Sequence, residues 1–132
     1  MTTIDHLNPT ELPSSPAFSQ GTVTPAGRTL YVGGQNGTTR DGTLADGTAA
    51  QTAQALRNVR SVLGEAGAGP EHVAKLTIHL AEGADVREAF GATPEVWGPY
   101  PTAITVLRVV GFARPDALVE IDAVAALPPE SA

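Results

Sequence analysis

Residues 48–80 read TAAQTAQALRNVRSVLGEAGAGPEHVAKLTIHL, and two different periods meet inside this stretch. From Thr48 to about Ala66, apolar or small residues recur at Ala49, Thr52 and Ala53, Leu56, Val59, Leu63 and Ala66, in steps of three and four. That spacing gathers them on one side of a helix, with Gln54, Arg57, Asn58 and Arg60 on the other. Asp46 or Thr48 can cap its start, and Gly67 can stop it. From Val73 the period drops to two: Val73, Lys75, Thr77 and His79 alternate with Ala74, Leu76, Ile78 and Leu80. Such alternation describes a strand with one buried face. Helix and strand joined by a Gly/Pro connector set the class as α+β.

Outward from this centre, residues 1–16 hold Pro9, Pro13 and Pro16 among serines and threonines and read as an irregular arm. Strands are expected at Phe18–Val23 and Thr29–Gly33, joined into a hairpin by Thr24-Pro25-Ala26-Gly27. On the other side, a shorter helix is expected over roughly Asp85–Ala92, with Pro94 setting its end. Trp97-Gly98-Pro99-Tyr100-Pro101 is a stiff connector. Two more strands, Thr102 to about Val110 and Leu118 to Ala125, flank a turn at Gly111–Ala117 and form a second hairpin. Residues 127–132 form a loose tail, leaving 17–126 as the domain. The order ββαβαββ predicts one mixed β-sheet with two helices packed on one face. Nothing in the chain is left to cover the other face, so a partner subunit is expected there.

Composition narrows the function. The chain has 132 residues, one domain's worth, with 5% aromatic content, so the core must be built mainly from Ala, Val, Leu and Ile. The absence of cysteine excludes disulfides, thiolate nucleophiles and Cys-ligated metals. No secretory signal and no apolar run of about 20 residues is present, so a cytoplasmic protein with no membrane partner is expected. The net charge is −6 with scattered Lys and Arg, which disfavours nucleic acid as a partner.

Motifs for several enzyme classes are missing: no Gly-x-Ser-x-Gly elbow, no Walker lysine, no His-Glu-x-x-His. His6, His72 and His79 lack ligand spacing, and no metal site is expected. Gly33-Gly34 with Gly37 is not followed directly by a helix, so it reads as a bent strand rather than a phosphate cradle. Glu120 and Asp122 share one face of the last strand. They are either solvated carboxylates, or one of them lines a pocket and positions a water or a proton.

Six blocks then occur in order: Ala17-Phe18-Ser19-Gln20; Leu30-Tyr31-Val32-Gly33-Gly34-Gln35; Gln51-Thr52-x-Gln54-Ala55-Leu56-x-Asn58-Val59; Leu63-x-Glu65-Ala66-Gly67; Val73-x-Lys75-Leu76-Thr77-Ile78; and Leu118-Val119-Glu120-Ile121-Asp122-Ala123-Val124-Ala125. Over about 17–126 the chain resembles the YjgF/RidA family. The resemblance implies a homotrimer with small-molecule ligand clefts between subunits. It also implies hydrolysis of reactive enamines and imines to 2-oxo acids and ammonia, with no cofactor and no metal. Glu120 matches the last-strand carboxylate that orients the attacking water, and Gly34 the glycine whose backbone lines the cleft. Phe18 stands where tyrosine is frequent, Phe90 where asparagine is common, and Thr105 where cysteine or a small polar residue occurs. The main departure is Ala103, where the deaminases grip the substrate carboxylate with arginine.

Each charge-assisted bond of such a grip is worth roughly 1.5–3 kcal/mol, so losing two weakens capture by a factor of order a hundred to ten thousand. Arg108 and Arg114 are near in sequence, but Arg108 is out of phase with Ala103 in a regular strand. Three readings follow: a divergent hydrolase keeping Glu120 and taking a more neutral substrate, a non-catalytic metabolite- or partner-binding module, and a ribonuclease. The acidic charge weighs against the last.

Overall fold

The computed structural model describes residues 4–130, so the first residues of the arm and the last of the tail lie outside it. Six strands and two helices follow one another: β1 Asp5–Leu7, β2 Gly21–Val23, β3 Thr29–Asn36, α1 Thr48–Glu65, β4 Val73–Ala81, α2 Val86–Trp97, β5 Ala103–Val109 and β6 Val119–Ala126. Four strands make one mixed sheet in the order β3-β6-β4-β5, and β1 and β2 form a separate antiparallel pair. The expected α+β class, with a mixed sheet and two helices, is what the chain adopts.

Neither expected hairpin forms. β2 pairs with β1, a strand inside the segment read as irregular, and not with β3. β6 does not pair with β5 but runs antiparallel to both β3 and β4, while β5 joins the edge parallel to β4. Burial explains the choice. Val119, Ile121, Ala123 and Ala125 are almost wholly buried, so β6 gains most in the centre, whereas Val106, Leu107 and Arg108 of β5 are exposed. β4, α2 and β5 then form a parallel crossover unit, which needs the long connection that α2 provides.

α1 begins and ends within a residue of expectation. Its N-cap is Gly47, however, with no side-chain cap bond from Asp46 or Thr48. The Thr48 hydroxyl instead accepts the Asp85 backbone N–H at 3.0 Å and so ties the start of α1 to the start of α2. Gly67 has φ 75° and its N–H donates to the Gly64 carbonyl, ending α1 as expected. The buried stripe of α1 is Gln51, Thr52, Ala55, Leu56, Val59 and Leu63. Ala49 and Ala53 instead line a groove against α2.

α2 runs past Pro94 to Trp97. Trp97 is buried, and the Arg60 guanidinium donates to the Val96 and Trp97 carbonyls, so the last turn is anchored despite the proline. The core is aliphatic: Leu56, Val59 and Leu63 of α1 meet Leu76, Ile78 and Leu80 of β4 and Val119 and Ile121 of β6, with Trp97 the one large aromatic.

The opposite sheet face is partly covered from within. Ile4, Ala74 and Ala126 form a small cluster, and Thr22 donates its hydroxyl to the Ala74 carbonyl, placing the β1–β2 pair against the start of β4. The tail starts ordered, with the Leu127 N–H bonded to the Arg28 carbonyl.

Candidate functional site

Alternation along the central strands sorts the chemistry-bearing side chains onto the face away from the helices. In β6, Val119, Ile121 and Ala123 enter the core, so Glu120 and Asp122 point outward. Register then sets their neighbours: Glu120 stands opposite Asn36 of β3 and His79 of β4, and Asp122 opposite Thr77. On β5, Ala103 is level with Lys75, and Thr105 with Thr77. Lys75, Thr77, His79, Thr105, Glu120 and Asp122 thus make a half-buried polar field bounded by Ala103.

Glu120 is held without a cation. Its carboxylate makes no ion pair among the described residues, and its one hydrogen bond is from Asn36 Nδ2 at a long 3.5 Å. Asn36 Nδ2 is engaged more firmly by the Val119 carbonyl, at 3.0 Å. On the β3 side the carboxylate lies against the Gly33-Gly34 irregularity, where the register shifts between Val32 and Gln35. A Cβ at Gly34 would come within 2.8 Å of Glu120 Cδ and Oε2. The glycine is therefore needed for close approach. His79 Nδ1 donates to the Glu120 backbone carbonyl at 3.1 Å.

The six predicted site residues do not meet within one chain. Gly34, Ala103, Thr105 and Glu120 belong to the outer face. Phe18 and Phe90 lie across β5, on the helix side, where they line an apolar cavity of about 440 Å³ with Ile78, Pro94, Ile104 and Val106. Phe18 is held there because the Ser19 N–H donates to the Thr102 carbonyl and the Ser19 hydroxyl to the Pro101 carbonyl, fixing the segment beside the start of β5.

The arginines do not refill position 103. Arg108 is level with Leu80, a core residue, and so faces the helix side. Arg114 donates to the Gly42 carbonyl at 2.6 Å and pairs with Asp116. The cation on the outer face is Lys75, whose ammonium donates to Thr105 Oγ1 at 2.5 Å. Its signal was in the alternation, since Lys75 shares a strand face with Thr77 and His79. The histidines sit apart: His6 is bonded to Ser19 and the Pro101 carbonyl, and His72 Nδ1 accepts the Gly69 N–H.

A four-stranded mixed sheet with two helices sets the class of the protein as an α+β fold. The profile of the endoribonuclease L-PSP family matches residues 9–127, and the chain belongs to that family. Solved structures agree. A Rid-family protein of unknown function from Yersinia pestis is 32% identical, with a TM-score of 0.84 over 95% of this chain and 99% of that one. A probable translation initiation inhibitor from Rhodopseudomonas palustris is 28% identical, with a TM-score of 0.69 over 96% of this chain and 100% of that one. A YjgF-family member from Mycobacterium tuberculosis is 28% identical, with a TM-score of 0.67 over 83% and 86%. No curated protein sequence matches the chain. None of the described helices is long and apolar enough to cross a membrane.

Proposed function

We propose that this protein is a cofactor-free hydrolase of small imines or enamines, acting in clefts formed where copies of the chain meet in a homotrimer. Hydrolysis of a C=N bond needs a water aimed at carbon, a base to take its proton, and a surface that holds the substrate still. Glu120 is suited to the first two tasks. The observation that carries the reading is its seat: a half-buried carboxylate without a cation, against a glycine whose Cβ would collide with it at 2.8 Å. A side chain neutralised by a salt bridge would be a poorer base, and one free in solvent would not hold a water in place.

The need for a second copy is supported by the division of the candidate residues. Gly34, Thr105 and Glu120 face one way and Phe18 and Phe90 the other, a division that suits a neighbouring chain bringing its aromatic edge over this chain's polar field. Tyr31 (76% exposed), Leu107 (44%) and Phe90 (51%) are apolar surfaces suited to burial in such a contact. Cleavage of RNA has less support, because the chain carries a net charge of −6 and the polar field holds a single lysine.

One observation favours a second reading, a non-catalytic binding module: the side chain at position 103 is a buried alanine. Generating 2-aminocrotonate with a threonine dehydratase and following its loss separates the two. The hydrolase reading expects acceleration by the wild type and a drop of about 100-fold or more in Glu120→Ala. No acceleration by a wild type that still binds small carbonyl compounds would establish the binding module instead.

A further inference from the structure

We infer that the groove between α2 and β5 binds an apolar carboxylic acid of about eight carbons, its carboxylate at Arg87 and Arg108 and its tail toward Trp97. The inference stands apart from the hydrolase reading, because Glu120 lies on the opposite face of the sheet. Three observations carry it. The first is room. Phe18, Phe90, Pro94, Ile104 and Val106 line the apolar cavity of about 440 Å³. A second cavity of about 240 Å³ continues it toward Trp97 and Tyr100, since Ala17, Thr93, Pro94 and Ile104 line both. Walls of hydrocarbon select a ligand whose body is hydrocarbon too.

The second is charge at one end. β4 ends at Ala81, level with Val109 of β5, and α2 begins five residues later at Val86. The first turn of α2 and the last residues of β5 therefore share one end of the groove. Arg108 follows Val106 by two residues on the helix side of β5, and Arg87 precedes Phe90 by three on α2. Both are exposed, and neither makes a hydrogen bond or ion pair among the described residues. Glu82 and Asp85 lie at the same end, but outside ion-pair distance of either guanidinium. The Asp85 carboxylate is engaged as the cap of α2, accepting the Glu88 N–H at 3.1 Å.

The third is an orphan donor at the other end. Trp97 stands seven residues after Phe90, so two helical turns return it to the same face of α2. It is buried, and its indole N–H has no acceptor among the described residues. A buried donor without an acceptor is costly, and an oxygen near the end of the ligand's tail satisfies it. The length agrees. Arg87 and Trp97 are ten residues apart on α2, about 15 Å at a rise of about 1.5 Å per residue. A chain of about eight carbons with a hydrogen bond of about 2.9 Å at each end spans much the same distance. Two guanidinium groups give the carboxylate its charge-assisted bonds, and the cavities take the chain between.

Calorimetric titration of the whole protein with 7-oxooctanoate, with its methyl ester and with octanoate tests the two ends separately. Emission from Trp97, the single tryptophan of the chain, reports occupancy of the groove. Wild type is expected to bind the oxo acid at one site per chain, roughly 10-fold tighter than the ester or octanoate. Replacing both arginines, Arg87→Met with Arg108→Met, should weaken the oxo acid roughly 10-fold and leave the ester unchanged. Val106→Phe fills the groove and should abolish binding of all three, and Ile104→Phe repeats that test if the first variant fails to fold. Glu120→Ala should bind the oxo acid as wild type does. A wild type that binds the oxo acid no tighter than its ester or octanoate overturns the inference, as does loss of binding in Glu120→Ala. A wild type that ignores all three ligands, beside a Val106→Phe variant with altered sedimentation, marks the groove as a contact between copies and overturns it too.

Discussion

The two faces of the sheet are built from the same strands and obey opposite rules. On the helix side, Leu76, Ile78, Val119 and Ile121 fill a core that α1 and α2 close within one chain. On the outer side, one residue along, stand Lys75, Thr77, Glu120 and Asp122, half-buried and sparsely bonded. A period of two lets one segment serve both ends, so stability and chemistry can be altered almost independently by neighbouring substitutions.

That independence can be broken at several points. The largest stability loss is expected from Leu76→Ala, at about 2–5 kcal/mol by urea denaturation, while Thr77→Ala beside it should cost less than about 1 kcal/mol. Equal costs would mean that the outer face is also a core. Gly37→Ala comes next. Its Cβ would lie 2.5 Å from the Gln51 Cα and carbonyl oxygen, backbone that cannot step aside, and a loss of about 1–3 kcal/mol is expected.

Gly34→Ala meets only the Glu120 side chain, which can swing away. Its unfolding midpoint should move less than that of Gly37→Ala, while turnover of 2-aminocrotonate falls toward that of Glu120→Ala. The smallest effect is at Asp41, whose carboxyl is held below the usual carboxylate range by the Thr39 hydroxyl and then by the Thr43 N–H. A depressed folded pKa means that this contribution is present above the usual pKa and is lost as pH falls through the folded value. Asp41→Ala should hasten amide exchange at Thr43 near neutral pH, with no change in the global midpoint.

Local pattern made α1 and β4 legible, because period and burial agree there. Pairing was not legible. Pro25 and Gly27 are good turn residues, but a turn does not decide which strand lies beside which. β6 goes to the centre because its apolar face is the more continuous, information that resides in burial and not in order. Pro94 misled for a related reason: the lost backbone bond is local, while Trp97 and Arg60 hold the last turn from a distance. The outer-face position of Glu120 follows from alternation alone. The separation of Phe18 and Phe90 from it does not, since that depends on Ser19 docking beside β5. The face that Lys75 shares with Thr77 and His79 follows from alternation too, whereas its level with Ala103 depends on the parallel register of β4 and β5.

The placement of β6 has a consequence for how the polypeptide reaches its shape. The last strand of the six is the middle of the sheet, and it joins β3 to β4. As the chain leaves the ribosome, β4, α2 and β5 can assemble as a local unit, while β3 has no ladder partner until β6 has emerged. Closing the sheet therefore takes a non-local pairing of β6 with both β3 and β4, and until it is made the edges of β3 and β4 are open to other chains.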